Sequence, residues 1–471
     1  MPLRKLAPHM LWRRALNYAP WVMQAVAIVS FALALCSRPV VLALLVVTLS
    51  VHAFTAAWLC WFLWPHRAVS SCGGSEKTDH TARSGESEDV APGISIIKPL
   101  SGTNDTLLEN LESCFVLAYP RFELLFCVDS PTDEAVQVVQ QLMERHPKVD
   151  AKLLFGNADE LEGASPKVRN VAKGYEHAKY DVFWSMDAKI RTCAADAHAM
   201  VAKLLQHPSV GLVHQLPWTR AADDTGGILE RMFFAGSHAR SYCLINGIGL
   251  PCTNGMSTMC TRSSWSAIGG CKALATTVAE DSLIGILMQS KGYTCAMAAV
   301  PCVQNPPPMP ICRIIERRAR WYQLRVFEMD GGRWVAPFDL WLEHVALVCL
   351  VAAYLRCVSA TLACVALCAT IDTCYAHWID FATRTSLGAS KLGVRAILKY
   401  PALWLLNLLL PFAVMCKGLS SATIVWNCNG TLKPMHPRPY SEKPVEVGVC
   451  NVLHWVGQRT VLRECFRIPT L

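Results

Sequence analysis

The chain has 471 residues, 52% of them hydrophobic and only 17% charged, which makes it too long for one small domain and too apolar for an ordinary soluble enzyme. Its formal charge of +8 is modest and spreads around two apolar zones, one near each end. That placement points to anionic lipid headgroups, or to a plainly solvated face, rather than to a nucleic-acid groove.

The first zone offers two apolar stretches, Trp21 to Leu35 and Val40 to Trp64, separated by Arg38 and Pro39. The second carries no formal charge and is long enough, at 1.5 Å per residue, to cross a hydrocarbon core of about 30 Å. Arg4, Lys5, Arg13 and Arg14 precede the first stretch, so the positive-inside rule keeps the N-terminus cytosolic if both span, and the chain then returns to the cytosol. If only the second spans, the N-terminus is lumenal and the body is still cytosolic. A cleaved signal peptide is disfavoured by Arg38 and by the lack of a clear cut site. Residues 1–65 are thus expected to form the N-terminal anchor. From Ser70 to Pro92 the sequence turns to Gly, Ser, Thr, Glu and Asp, a composition that buries little apolar area, so 66–92 reads as a flexible linker.

Between Gly93 and Val303 short β-rich runs alternate with helix-period stretches. Strands are predicted near Ile94–Pro99, Phe122–Val128, Ala151–Phe155, Val182–Met186 and Val210–Leu216, with helices such as Asp133–Arg145 between them. This order predicts an α/β body, a mainly parallel sheet covered by helices, over residues 93–335. The second apolar zone, 336–416, offers Phe338 to Leu355, Cys357 to Trp378 and Tyr400 to Met415 as membrane segments. Arg317, Arg318 and Arg320 lie before the first, and Arg384, Lys391, Arg395 and Lys399 between the second and third, so all three spanning would put both clusters in the cytosol. The tail, 417–471, would then be lumenal. Its Asn429-Gly430-Thr431 sequon favours that side and its own basic residues oppose it. The 22 cysteines lack a Cys-x-x-Cys pair, and many, including Cys349, Cys357, Cys364 and Cys368, lie in apolar runs where a thiol acts as a small hydrophobe. They suit a body facing a reducing compartment.

In such sheets ligands bind beyond the carboxyl ends of the strands. Asp129 follows the strand ending at Val128, Asp133 comes four residues later, and Asp187 follows the apolar strand ending at Met186. Each could cap the next helix. A charge after a strand as apolar as Val182–Met186 needs a partner, and a divalent ion bridging diphosphate oxygens would supply one, with oxygen ligands suiting Mg²⁺ or Mn²⁺. Glu280 and Asp281 open an apolar helical stretch, where carboxylates are also favoured by the helix dipole. Arg317, Arg320 and Trp321 fall within about one helical turn, a set able to grip phosphates or to rest on a membrane surface.

Together these residues resemble the ceramide glucosyltransferase family, a membrane branch of the GT-A glycosyltransferases. The resemblance is carried by Ile97-Lys98-Pro99-Leu100-Ser101-Gly102, Ser165-Pro166-Lys167, Met186-Asp187-Ala188-Lys189-Ile190-Arg191, Gly211 to Pro217, Ala279-Glu280-Asp281 and Arg317 to Trp321, in this order. It runs from Gly93 to about Arg325 and continues weakly through the C-terminal zone. It implies a GT-A Rossmann-like nucleotide-sugar-binding domain between N- and C-terminal transmembrane helices, with the catalytic face towards the cytosol on the Golgi or another endomembrane. It implies Asp187 as the metal aspartate, Asp281 as the base, and Arg317, Arg320 and Trp321 as the donor-binding motif. The early nucleotide aspartate is Asp133, or else Asp129, which lies closer to the strand end. His214 becomes a donor-site candidate, against its reading as a structural histidine in an apolar strand. Lys98 and Lys167 would contact the nucleotide or cap local structure. Lys189 stands where a small residue is usual in the family. The implied partners are UDP-glucose, ceramide and the lipid bilayer, with a divalent metal as cofactor. Glucose against galactose and the oligomeric state stay open. The rival readings are a processive polysaccharide synthase, which needs a larger bundle of membrane helices, and an inactive lipid-binding scaffold, which has no need of three carboxylates.

Overall fold

The computed structural model describes residues 91–328 apart from short breaks at 157–160, 162–164, 221–222, 248 and 276. It also describes 394–435 apart from 422 and 429–430, and isolated helical positions within 39–50 and 351–361. The stretch Trp21 to Leu35, most of Val40 to Trp64, most of the linker, nearly all of Phe338 to Leu355 and Cys357 to Trp378, the sequon's first two residues and most of the tail lie outside the described residues.

Seven strands form the main sheet. β1 (Ile94–Leu100) lies between β2 (Phe122–Val128) and β4 (Val182–Met186), parallel to both, and β3 (Ala151–Phe155) adds in parallel on the β2 edge. Beyond β4, β8 (Ser257–Thr261) runs antiparallel to both β4 and β6 (Val210–His214), and β9 (Thr294–Met297) closes the edge parallel to β6. A smaller sheet of β5 (Ile190–Arg191), β10 (Cys302–Gln304) and β7 (Pro217–Thr219) stands beside it.

The predicted strands appear with β1 one residue longer and β6 two residues shorter than expected. The alternation rule misses β9, the short strands β5, β7 and β10 and, with most effect on the topology, β8. Its sequence, Ser-Thr-Met-Cys-Thr, has only two strongly apolar positions and follows Asn254-Gly255, which reads as a turn. The sheet is therefore mainly parallel with one antiparallel strand let into it.

Burial follows the two-residue period of a strand. Ile94, Ile96, Phe126 and Trp184 face one layer, where α1 (Leu107–Phe115), α2 (Ala135–Arg145) and α4 (Ala194–Leu205) supply Leu111, Val139, Leu142 and Met200. Ile97, Leu125 and Phe183 face the other, against Val168 and Val171 of α3 (Pro166–His177), Trp265 of α7 (Arg262–Ala267) and Leu283, Leu287 and Met288 of α8 (Glu280–Ser290). A strand covered on both faces reads as a nearly unbroken apolar run, as β1 does except at Ser95 and Lys98.

The helices start where local chemistry permits. Ser165 accepts a hydrogen bond from the Val168 amide at 3.3 Å with Pro166 in the first turn of α3, and Asp224 accepts from the Gly227 amide at 2.7 Å to open α5 (Thr225–Phe233). After α5 the chain makes a five-residue π segment, Phe234–His238, before α6 (Ala239–Gly247). Gly236, with φ −96° and ψ −111°, absorbs the kink there.

Two long helices complete the described fold, α9 (Ile311–Glu328) and α10 (Val394–Leu419), followed by a hairpin of β11 (Ile424–Cys428) and β12 (Thr431–Met435). The expected segment Tyr400 to Met415 falls inside α10, and Ala402–Leu419 is the one stretch among the described residues long and apolar enough to cross a membrane. One face of α10 is buried. Leu403, Trp404 and Leu410 pack with Ile228, Leu229 and Met232 of α5 and Ile314 of α9, and Val414 packs with Tyr322 and Val326. The other face shows Leu405 and Leu409, both more than half exposed and one helical turn apart.

At Gly174 in α3, helix propensity favours alanine by about 1 kcal/mol. Packing opposes it, because an added Cβ would lie 2.5 Å from Ile97 Cγ2 and 2.9 Å from Cys127 Sγ on the rigid sheet. Overpacking of about 1–3 kcal/mol is expected to win, so Gly174→Ala should unfold at lower temperature than the parent. A higher Tm would show that the layer can give.

Candidate active site

Asp187 ends β4, its amide donating to the Met256 carbonyl at 2.9 Å. Lys167, in the first turn of α3, reaches it. The Lys167 ammonium lies 2.9 Å from Asp187 Oδ1 and 3.0 Å from Glu280 Oε1, and donates to the Gly255 carbonyl at 2.7 Å. An ammonium has three protons, and here each has an oxygen. This single side chain ties β4, the loop before β8 and the start of α8 together.

Asp281 sits one residue beyond Glu280. Its Oδ2 accepts from the Gly255 amide at 3.2 Å, its Oδ1 accepts from the Ser282 amide at 2.8 Å, and its carbonyl accepts from the Thr253 hydroxyl. Gly255 has to be small. A Cβ there would stand 3.1 Å from Asp281 Cβ and 3.3 Å from Lys167 Nζ. A small open cavity lies beside Lys167, Glu280 and Asp281 and is walled by Tyr175, Leu212 and Trp265.

Lys189, in the turn after Asp187, brings its ammonium to 3.9 Å from Asp187 Oδ2. Lys98 behaves differently from the nucleotide contact considered for it. It is fully buried under the site and donates to the carbonyls of Ile190 at 2.8 Å and Asp187 at 3.2 Å, so it holds the Asp187 turn from below.

Asp133 and Asp129 separate by their partners. Asp133 accepts from the Gly102 amide at 2.9 and 3.1 Å and from the Ala135 amide at 2.9 Å, which fastens the loop after β1 to the start of α2. Asp129 stands at the end of β2 with its Oδ1 buried and without a hydrogen-bond partner.

The arginine motif lies on α9 and leans on a residue that sequence reasoning missed. Glu230 of α5, only 1% exposed, pairs through Oε2 with Arg317 and through Oε1 with Arg318 at 3.2 Å, while Arg318 also donates to the Leu229 carbonyl at 3.1 Å. A charged residue in the run Gly-Gly-Ile-Leu-Glu-Arg-Met-Phe was the available signal, since a buried carboxylate requires a partner. Trp321 packs between Phe233 and Phe234, with ring centroids at 6.1 and 6.2 Å, and the Arg317 guanidinium lies 5.0 Å over its ring. A second missed residue, Glu328 at the end of α9, accepts from the Val278 and Ala279 amides, each at 2.7 Å, and so joins α9 to the approach of α8.

His214 ends β6, fully buried. Its Nε2 meets Asn246 Oδ1 at 3.2 Å, its Nδ1 has no partner, and burial lowers its pKa to about 4, so it is neutral at pH 7. It stands in an aromatic row with Tyr242 and His238.

The sequence profile of Glycosyl transferase family 21 matches residues 62–432, most of the chain. The chain belongs to glycosyl transferase family 21. It is thus an enzyme that transfers glycosyl groups. Its relatives include ceramide glucosyltransferase 3 of Caenorhabditis elegans, 32% identical over 338 residues that make up 72% of each chain. Ceramide glucosyltransferase 1 of the same organism is 31% identical over 346 residues, 73% of this chain and 72% of the relative. A mannosyltransferase from Pyrobaculum calidifontis, solved with GDP-Man and Mn²⁺, matches 76% of this chain and 98% of its own at 18% identity, with a TM-score of 0.42.

The two aspartates of this glycosyltransferase differ in character. Burial acts to raise the pKa of Asp187, but Lys167 and Lys189 overcome it and hold the group below the usual carboxylate range. Burial and the neighbouring Glu280 push Asp281 up to about 6, with Lys167 and two amides pulling the other way. Lys167 is held above the usual lysine range by Asp187 and Glu280 despite its burial. Lys189 is lowered to about 8 by burial and by Arg317, Lys167 and Arg320, with Asp187 opposing. Among the described residues no group of three or more His, Cys, Asp or Glu could hold a metal ion. A caged metal therefore does not fit, whereas an ion that arrives on a diphosphate needs one or two carboxylates, and Asp187, with its side chain 24% exposed, fits that donor set.

Replacing Glu230 by Gln would leave two buried guanidiniums facing a neutral partner. Glu230→Gln is expected to destabilise the enzyme by about 3–5 kcal/mol, measured by denaturant unfolding in detergent. An unchanged midpoint would show that Arg317 and Arg318 find other acceptors.

Proposed function

We propose that this family 21 glycosyltransferase transfers glucose from UDP-glucose to the primary hydroxyl of ceramide, with inversion, to give β-glucosylceramide. The observation that carries the reading is a pair of carboxylates on one lysine-bridged site with their protonation driven apart, Asp187 kept ionised and Asp281 raised to about 6. The names of its relatives supply the acceptor. The α/β body is read as a GT-A domain.

Asp281 takes the proton from the ceramide hydroxyl as that oxygen attacks the anomeric carbon. The bond to UDP breaks on the opposite face, and its electron pair leaves with the β-phosphate. Arg317 and Arg320 face the diphosphate as charge gathers on it, and Trp321 fixes Arg317 from behind. Lys167 holds the two carboxylate-bearing elements in register, and Asp129, at the end of β2, stands on the nucleoside side. Mg²⁺ or Mn²⁺, bound through Asp187, would neutralise part of the charge on the departing diphosphate.

A base must be ionised to work, so turnover should climb as pH rises through about 6 and level off above it. The test is an assay of membranes with labelled UDP-glucose and short-chain ceramide. A single-sugar lipid is the expected product, and Asp281→Asn should lower turnover by about 10²-fold or more while UDP binding persists. A polymeric product, or near-normal turnover in a folded Asp281→Asn enzyme, would defeat the assignment.

The same reading puts the body on the cytosolic side of a Golgi or related membrane, where a soluble nucleotide sugar meets a lipid in the adjoining leaflet. The basic N-terminus and the free thiols of the described cysteines support it. Protease added to sealed vesicles should cut the chain between Ser70 and Pro92. Cleavage only after detergent would reverse the topology.

A further inference from the structure

Among the cations of the site, Lys189 is set apart by what its ammonium does. Lys167 spends its protons on Asp187, Glu280 and Gly255, and Arg317 is paired with Glu230 and backed by Trp321. Lys189 Nζ stands 3.9 Å from Asp187 Oδ2, beyond hydrogen-bonding distance, and among the described residues it makes no hydrogen bond. Its backbone is nevertheless fixed. The Asn305 amide donates to its carbonyl at 2.9 Å, and the turn it occupies is closed by the Ile190 amide donating to the Asp187 carbonyl at 3.0 Å. About a quarter of the side chain is open to solvent.

The surroundings make this arrangement costly without a ligand. Arg317, Lys167 and Arg320 all repel Lys189, and Asp187, the carboxylate it faces, already pairs with Lys167 at closer range. Like charges gathered at a partly closed strand end call for an anion, and an ammonium with uncommitted protons on a rigid turn is placed to bind one.

We propose that Lys189 binds the diphosphate of the nucleotide sugar directly, so that this enzyme captures its donor without a divalent cation and the cation joins afterwards at Asp187. The proposal rests on the nucleotide-sugar reading of the site given above. It assigns Lys189 a double effect. Its charge holds the diphosphate, and while it faces Asp187 it competes with any cation for that carboxylate.

The experiment is calorimetric titration of UDP into the full chain in detergent, with chelator or with Mn²⁺. The parent enzyme should bind UDP in chelator. Lys189→Ala should weaken that binding by at least about tenfold, yet bind UDP when Mn²⁺ is added, which also shows that the variant is folded. Its half-maximal Mn²⁺ concentration should fall, because Asp187 has lost a competing ammonium, and a merely structural lysine would not move that value. Lys189→Arg should keep most of the chelator-resistant binding. Parent binding only with Mn²⁺, or undiminished chelator-resistant binding in Lys189→Ala, would overturn the proposal and leave the nucleotide-sugar reading standing. A parent enzyme that binds no UDP under either condition would overturn both.

Discussion

The site depends on Lys167 more than on any other residue. One ammonium bonded to Asp187, Glu280 and the Gly255 carbonyl links a strand end, a loop and a helix start that are remote in sequence. Without it, two partly buried carboxylates and a carbonyl would face each other with no cation among them, an arrangement that costs stability. The bridge also divides the labour between the acids. Its closeness to Asp187 keeps that group charged, while Asp281, one step farther along α8 and beside Glu280, retains a proton to higher pH.

Much of this was legible in the chain. The strands could be read because a parallel sheet covered on both faces leaves unbroken apolar runs, and Asp187 stood out because it ended one of them. Asp281 was legible as a helix-opening carboxylate, and its distinct protonation was not, because that depends on burial created by the fold. Lys167 and Lys98 looked alike in sequence, each a lysine within a matching motif. Their roles differ because Lys98 points from the middle of a buried strand to backbone carbonyls, whereas Lys167 sits on a helix start that overlooks the site. Glu230 and Glu328 escaped notice for a related reason. Each serves a partner on a different element, and single-chain periodicity carries no record of which helix will lie across from it. β8 was lost because a short polar strand paired on both sides takes its stability from ladder hydrogen bonds more than from its own side chains.

The aromatic and arginine half of the site has a separate foundation. The π segment after α5 sets Phe233 and Phe234 around Trp321, and Glu230 draws Arg317 and Arg318 inward, so the motif is held by α5 as much as by α9. Glu328, at the far end of α9, then reaches the loop that leads into α8. The cationic and acidic halves are thus joined through one helix, with Arg317 and Arg318 near its middle and Glu328 at its end.

That helix is also clamped to α10. Gly418 lets the two approach so closely that an added Cβ would come within 2.7 Å of the Tyr322 ring, and Gln323 donates to the Ser421 carbonyl just past the end of α10. A helix that spans lipid adjusts its tilt to the hydrocarbon thickness around it. Were α10 to lie in the bilayer, such a tilt would act on α9, which carries Arg317 near its middle and, through Glu328 at its end, touches the approach of Asp281. The thickness of the surrounding membrane would then be a variable of catalysis, and the lipids that set that thickness would be effectors that need no binding pocket.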